Sequence, residues 1–413
     1  MPELALRRRA RGIWVTFRAE RRTLRQGLVA LVLSTLASFV AGITLAGMAG
    51  TLQELPGMLL LIPASVGMRG VISGTTGARL GTSIAAGLFE TTMRPGGVLR
   101  HNVAVGLVQT LSSSLYVAAL ARLFALVFDE PTIPLPDLVT ISVIGGTIGS
   151  ALVLVATIAL AVTSFRRGYD LDAVGTPLIT AVGDMVTLPA LLLASLLVRS
   201  EIVSDVTAAL CTIGAAAGVV AGLRLEPAIR RTLLEMTGVL LLVPILDVAA
   251  GTLLESQSDR FFRYPGLLIL IPPLISQAGA LGGILSSRLS SKLQLGVISP
   301  RRLPESPAVV DAALVIVSGF SIFLVIGCLG AAIAAALGRE TPGAIETIAS
   351  ATLAGVLLLP IILALGYYLA VGTTRFGLDP DNHSVPLGTG AMDLAGIAAF
   401  VTAVALSGVS LYG

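Results

Sequence analysis

Residues 166–184 read RRGYDLDAVGTPLITAVGD, and residues 375–393 read RFGLDPDNHSVPLGTGAMD. The two stretches share eight residues at a constant separation of 209 positions. Each stretch ends on an aspartate that lies within an apolar run. A carboxylate inside an apolar membrane segment is costly and usually functional. The shared positions are Arg166/Arg375, Gly168/Gly377, Asp170/Asp379, Asp172/Asp381, Pro177/Pro386, Leu178/Leu387, Thr180/Thr389 and Asp184/Asp393.

The composition around these stretches is that of a membrane protein. Of the 413 residues, 55% are hydrophobic and 12% are charged, and the mean hydropathy is +0.93. Apolar runs of twenty or more residues recur along the chain, which predicts an all-α polytopic membrane protein in contact with a lipid bilayer. We count about eleven candidate spans, at 25–49, 57–88, 101–127, 138–165, 175–198, 204–225, 232–254, 265–290, 307–336, 344–372 and 384–410.

A second pair of stretches has the same separation. Residues 56–80 and 265–289 are identical at ten of 25 positions, and the identities include prolines, glycines and an arginine. Membrane composition alone does not align such residues, so we predict a duplicated five-helix unit. The predicted domains are a basic cytoplasmic tail at 1–24, a first repeat at 25–198, a linker transmembrane helix with its loops at 199–229, and a second repeat at 230–413.

The linker span sets the relative orientation of the repeats. One extra crossing between two five-helix units makes them parallel, related by a pseudo-two-fold axis along the membrane normal. With a cytoplasmic N-terminus, the inside segments carry twenty of the 27 Lys and Arg, as the positive-inside rule requires. We therefore expect a multi-pass protein of the plasma membrane with its C-terminus outside. Topology explains the net charge of +3, so no nucleic-acid partner is expected.

The duplicated motif has helical spacing. Its proline fits the first turn of a helix, where the missing N–H does no harm. Its last aspartate follows seven residues later, about 10 Å along the axis and inside the hydrocarbon. The threonine lies one turn before that aspartate on the same face. We predict that the two helices face each other across the axis, with a pore lined by Thr180, Thr389, Gly183, Asn382 and Asp247.

The predicted ligands are carboxylates, which indicates a hard cation. Oxygen ligands suit Mg²⁺, Ca²⁺ and Mn²⁺, and Mg²⁺ keeps its waters tightly, so few carboxylates could bind it through its hydration shell. Charge and ligand type alone do not choose among these ions and Na⁺. The aspartates at the cytoplasmic mouth could also be solvated or capping residues. The predicted cation ligands are Asp184 and Asp393 in the helices and Asp170, Asp172, Asp379 and Asp381 at the mouth.

Three further charged residues interrupt the predicted spans. Asp247 has Ser38 as its counterpart in the first repeat, and it could line the pore, bind a proton or pair with an arginine. Arg69 and Arg122 are not repeated, and we expect each to form a structural ion pair. A packing role is also the alternative for the two motif aspartates, but their duplication with a matching proline and threonine favours a binding site.

With these motifs the chain resembles the MgtE magnesium channel family, and most closely its two-repeat branch of the solute carrier family 41 type. The resemblance covers about residues 25–410. It implies that Mg²⁺ is the transported ion, that Asp184 and Asp393 line the central pore, and that the mouth aspartates form further cation sites. The chain has Gly70-Val71 and Gly279-Ala280 where members commonly have Gly-Asn. Bacterial members dimerise, whereas this chain contains both five-helix units, so a monomer could form the pore.

Two alternatives to a divalent-cation channel or transporter remain open. A Na⁺- or H⁺-coupled Mg²⁺ exchanger would need a second titratable site, for which Asp247 is a candidate. An intramembrane aspartyl protease is suggested by the pairs Tyr169-Asp170 and Gly183-Asp184. The spacing argues against the protease, because the second aspartate arrives 209 residues later in a copy of the same motif. We therefore expect a transport protein and not an enzyme.

Overall fold

The computed structural model describes residues 21–90, 92–94, 96–167, 171–224, 226–376 and 380–407, and within these ranges the chain is helical and contains no strand. We number the long helices α1 to α11. Their bounds are α1 Arg21–Gly47, α2 Met58–Ala85, α3 Val98–Phe128, α4 Leu135–Arg167, α5 Leu171–Ser195, α6 Glu201–Arg224, α7 Pro227–Glu255, α8 Ile271–Gln294, α9 Ser306–Ala336, α10 Ala344–Phe376 and α11 Pro380–Leu406.

The helices are long and apolar enough for a membrane. Ten helical segments of the described chain could cross a bilayer by length and composition, and the apolar part of α1, Leu31–Gly47, is shorter. Helix α6 is mostly exposed and presents Ile202, Leu210 and Ile213 outward, whereas α2 is largely buried. An outward apolar surface around a buried central helix is what a lipid-embedded bundle requires. The prediction of an all-α polytopic membrane protein is confirmed.

The helices that carry the aspartate motif begin earlier than predicted. Helix α5 begins at Leu171 and α11 at Pro380, so Pro386 lies within α11 and not in its first turn. The prediction of a helix start at Pro177 and Pro386 is therefore wrong. Membrane helices tolerate an interior proline because neighbouring groups satisfy the freed carbonyl.

Two glycines at the repeat separation make equivalent contacts between the halves of the chain. A Cβ on Gly251 of α7 would lie 2.6 Å from the carbonyl oxygen of Leu60 in α2. A Cβ on Gly42 of α1 would collide with the backbone of Ile269, which lies in the 3₁₀ segment Pro265–Leu270 that precedes α8. Gly42 and Gly251 are 209 residues apart, as are Leu60 and Ile269. In each half, a glycine therefore lies in close contact with the backbone of the other half, and the two contacts involve equivalent positions of the repeat.

A second pair of contacts repeats inside each half. Arg79 donates from Nε to the side-chain oxygen of Asn102, at 3.0 Å. Arg288, its counterpart, donates to Asp311, the counterpart of Asn102, also at 3.0 Å. Both contacts tie the C-terminal half of the second helix of a repeat to its third helix. Helix α6 has no such counterpart and packs against α3 and α4.

Candidate functional site

Asp184 and Asp393 lie at equivalent depths in α5 and α11. Each follows the first residue of its helix by thirteen positions, which is about 20 Å at 1.5 Å per residue. Their exposed fractions are 5% and 4%, so both side chains point into the protein and not toward lipid. Asp393 is close enough to Asp184 for the two charges to repel. The site is therefore a buried acidic centre near the middle of the bundle.

Hydroxyl groups surround Asp184. The Ser38 hydroxyl of α1 donates to Oδ2 of Asp184, at 2.8 Å. The Ser276 hydroxyl of α8 lies near the same carboxylate but does not complete a hydrogen bond to it. Helix α1 belongs to the first half of the chain and α8 to the second, so the environment of Asp184 draws on both.

The environment of Asp393 is different because a second carboxylate takes the place of Ser38. Asp247 of α7 is the counterpart of Ser38, has an exposed fraction of 0%, and lies within hydrogen-bonding reach of Asp393. Neither side-chain oxygen of Asp247 has a donor among the described residues. Two ionised carboxylates in contact repel each other, so such a pair requires a cation or a shared proton.

A glycine provides the space for the extra carboxylate. Gly67 of α2 is the counterpart of Ser276. A Cβ on Gly67 would overlap Oδ2 of Asp247 and would lie 3.3 Å from Oδ2 of Asp393. Gly390 of α11 borders the pair on another side, since its Cβ would lie 3.4 Å from Oδ1 of Asp247. The centre is thus asymmetric. The residues on one side are Ser38, Asp184 and Ser276, and their counterparts on the other side are Asp247, Asp393 and Gly67.

The remaining predicted site residues are only partly described. Gly183 is buried, and among the described residues outside its own stretch of helix no heavy atom lies within 4 Å of the position its Cβ would take. Thr389 is half-buried and packs near Gly279 of α8. Asp170 and Asp379 lie outside the described residues, as do the side chains of Asp172, Thr180, Asp381 and Asn382.

The described carboxylates do not form a cage for a bare metal ion. No three His, Cys, Asp or Glu side chains in the described ranges converge closely enough to hold one directly. Nor does any Lys, Arg or His of those ranges form an ion pair with Asp184, Asp247 or Asp393. Within the described residues, the three carboxylates of the centre therefore have no cationic partner, and no three acidic side chains are close enough together to coordinate a bare ion.

The sequence did not predict three residues of the centre, which are Ser38, Gly67 and Ser276. Serine and glycine in membrane helices usually serve close packing, so their type does not indicate a site. The available signal was positional, because Ser38 pairs with Asp247, and Gly67 with Ser276, at the separation of 209 that relates the two aspartates. Only the folded helices show that these two pairs meet at Asp184 and Asp393.

Comparison with known proteins agrees with this duplicated architecture. The profile of the MgtE family, described as a divalent cation transporter, matches residues 62–194 and again residues 271–403. The chain belongs to the MgtE family. The two matched segments begin 209 residues apart and together cover more than half of the chain. A chain of this family is a divalent cation transporter in the coarse sense that the profile describes.

Curated relatives of this MgtE-family chain carry solute carrier names. Solute carrier family 41 member 3 of Rattus norvegicus is 25% identical over 402 residues, covering 90% of this chain and 84% of the relative. Member 3 of Mus musculus is 26% identical over 373 residues, covering 83% and 74%, and member 2 of Mus musculus is 25% identical over 259 residues, covering 60% and 44%. No solved structure matches. The resemblance to the solute carrier family 41 branch is confirmed.

Proposed function

We propose that this protein moves Mg²⁺ across the membrane through the acidic centre formed by Asp184, Asp247 and Asp393. The observation that carries the proposal is the contact of Asp247 with Asp393, because both carboxylates are buried and Asp247 has no donor among the described residues. Burying an ionised carboxylate without a partner costs several kcal/mol. A protein retains such a cost where a cation passes and provides the missing charge.

A hydrated ion suits the spacing of the ligands. Mg²⁺ gives up its waters reluctantly and binds through one or two carboxylates with several waters retained. A centre in which no three acidic side chains converge can still hold such an ion through its water shell. The Ser38 and Ser276 hydroxyls supply hydrogen-bonding partners for that shell. Ca²⁺ and Mn²⁺ share the ligand preference, so they are the competitors to measure.

The test is Mg²⁺ flux into liposomes that contain the purified full chain. Asp184→Asn and Asp393→Asn should each lower flux by about tenfold or more, because a lost charge-assisted interaction is worth about 1.5–3 kcal/mol. Asp205→Asn is the matched control, since Asp205 is an exposed residue of α6 and its loss should leave flux unchanged. Normal flux in both motif variants, with wild-type folding by circular dichroism, would rule out the central site.

Proton coupling is the second candidate mechanism, and the Asp247–Asp393 contact favours it. When no cation is bound, a shared proton relieves the repulsion of this pair, and cation entry would release that proton. Asp247→Ser makes position 247 a serine, like its counterpart Ser38 in the first half. Under proton coupling, this variant should lose the dependence of Mg²⁺ flux on an imposed pH gradient. Equal pH dependence in wild type and variant would exclude Asp247 as the coupling group.

We also propose that one chain forms the whole pathway, in the plasma membrane with a cytoplasmic N-terminus. The paired contacts Gly42–Ile269 and Gly251–Leu60 support a pathway between the two halves of one chain, and the distribution of Lys and Arg supports the orientation. Flux from liposomes reconstituted at less than one chain per vesicle tests the first point. Flux that disappears at that dilution would indicate an obligate oligomer.

A further inference from the structure

An unpaired arginine lies in the middle of α2. Arg69 has an exposed fraction of 3%, and its Nε and Nη1 have no hydrogen-bond partner among the residues that the structure describes. In the described part of the chain no carboxylate forms an ion pair with it, so the expected structural ion pair is wrong. It follows Met58, the first residue of α2, by eleven positions, about 16 Å. At that depth, about half of a ~30 Å hydrocarbon layer, its head group cannot reach the interface.

Arg69 faces a small polar cavity. The cavity lies between α2, α3 and α4 and has room for roughly one water molecule. Glycines of α4 allow the guanidinium to lie against that helix, since a Cβ on Gly149 would be 2.8 Å from Nε. Besides Arg69, the polar side chains that line it are Ser65, Thr110, Ser113, Ser114, Ser142 and Ser150.

In the second half of the chain the counterparts of Arg69 and of the hydroxyl residues carry no hydroxyl or charge, although Gln277, the counterpart of Met68, is polar and buried. Ala278 is the counterpart of Arg69, and Phe323 is the counterpart of Ser114. The fully buried Phe323 ring packs against Gly355. In the first half, Ser114 packs against Gly146, which is the counterpart of Gly355. The other five hydroxyl residues correspond to Leu274, Gly319, Ile322, Ala351 and Leu359. The five-helix fold therefore does not need a polar cavity here, and the first half has acquired one.

The chemistry of this cavity is that of an anion site. Arginine stays protonated in proteins, and burying it unpaired costs several kcal/mol. An anion removes that cost, and hydroxyl groups can donate further hydrogen bonds to it. Phosphate groups of lipids do not reach the middle of the hydrocarbon, and the cavity is too small for a free phosphate or a carboxylic acid. We propose that the cavity beside Arg69 binds a small monovalent anion such as chloride.

A second cavity offers a path to this site. It adjoins the first through the shared residues Ile72, Thr110 and Ser150. It continues along α2 to Ser73 and Thr76, and the buried Thr76 hydroxyl has no hydrogen-bond partner within the described ranges. The hydroxyl-bearing residues of the two cavities thus extend along α2 from Ser65 to Thr76.

The experiment measures how chloride and bromide affect thermal unfolding of the purified full chain, followed by circular dichroism. The buffer contains no divalent cation and keeps ionic strength constant by replacing gluconate with chloride or bromide. We expect the Tm of the wild type to rise and saturate with either halide, because a ligand that binds only the folded state stabilises it. Arg69→Leu should show no halide response. Arg122→Leu is the control, since Arg122 is an arginine of the same half that does not line the cavity.

Two further measurements keep the proposal testable if Arg69→Leu fails to fold. Thr110→Val removes one hydroxyl at similar volume and should raise the half-saturating chloride concentration by about tenfold. Crystals grown in bromide should show an anomalous peak beside the Arg69 guanidinium. Any one of three results would mean that water alone fills the cavity. These are a halide response in Arg69→Leu equal to that of the wild type, an unchanged half-saturating chloride concentration in Thr110→Val, or the absence of an anomalous peak beside the Arg69 guanidinium. Asp184→Asn should keep the halide response, which separates this inference from the cation site.

Discussion

Replacement of Gly67 by alanine tests the asymmetric centre directly. The new methyl group would overlap Oδ2 of Asp247 and would lie 3.3 Å from Oδ2 of Asp393. Overpacking of this kind costs about 1–3 kcal/mol, whereas glycine to alanine in a helix otherwise gains up to about 1 kcal/mol. Gly70 lies one turn further along α2, and no heavy atom of the described residues outside its own stretch of helix lies within 4 Å of its Cβ position. Gly70→Ala therefore reports the helical gain without the overlap.

We expect Gly67→Ala to be less stable than Gly70→Ala by about 1–3 kcal/mol. The assay is unfolding of the purified protein by SDS in buffer free of divalent cations, followed by far-ultraviolet circular dichroism. Omitting the cations matters because a ligand bound to the folded state would add its own stabilisation. The same pair of substitutions is then made in the Asp247→Ser background.

The second background gives the decisive comparison. Ser38 is short enough to share its side of the centre with Ser276, so a serine at position 247 should leave room for a methyl group on Gly67. The difference between the two alanine variants should then fall to within about 0.5 kcal/mol, the usual limit for uncoupled sites. If Gly67→Ala is as stable as Gly70→Ala, or if its penalty persists with serine at position 247, the steric account of the asymmetry is refuted.

Two further substitutions test the contacts that repeat between the halves. Asp311→Asn removes the carboxylate that binds Arg288 at 2.9 Å and Lys292 at 2.6 Å. We expect the free energy of unfolding in the same SDS titration to fall by about 2–3 kcal/mol. This is less than the ~3–5 kcal/mol of a fully buried pair, because both cations are partly exposed. A change below about 0.5 kcal/mol would show that the carboxylate is not needed. Gly251→Ala places a Cβ 2.6 Å from the carbonyl oxygen of Leu60 and should cost at least about 1–3 kcal/mol; an unchanged unfolding midpoint would contradict close backbone contact between the halves.

Part of the candidate site could be predicted because charge in an apolar segment is conspicuous. Asp184, Asp247 and Asp393 each interrupt an apolar run, and the cost of burying them indicates a functional interior position. The partners of these residues could not be predicted in the same way. Ser38 and Gly67 are ordinary packing residues by type, and their role depends on which helices meet.

The start of each motif helix was mispredicted for a local reason. A proline is a strong signal for a first turn, so the sequence predicts helix starts at Pro177 and Pro386. In the structure the helices begin at Leu171 and Pro380, since packing against neighbouring helices stabilises a membrane helix through an interior proline. Tertiary contacts, which are not visible in the local pattern, decided the boundary. The surroundings of Arg69 were also not visible in the local pattern. The sequence predicts an ion pair for this residue, whereas the structure places its guanidinium beside a polar cavity.

The sequence by itself determined that the chain is a helical membrane protein, that its two halves share motifs at a separation of 209 residues, and that each half carries an aspartate within an apolar run. These properties follow from composition, span length and the cost of charge in hydrocarbon, which are local quantities. The tertiary structure alone decided that Asp247 meets Asp393 where Ser38 meets Asp184, and that the first half encloses a polar cavity where the second packs Phe323. The reason is physical: contacts between helices depend on which faces meet across more than a hundred residues of chain, and duplicated backbones can bring different side chains to the same point in space.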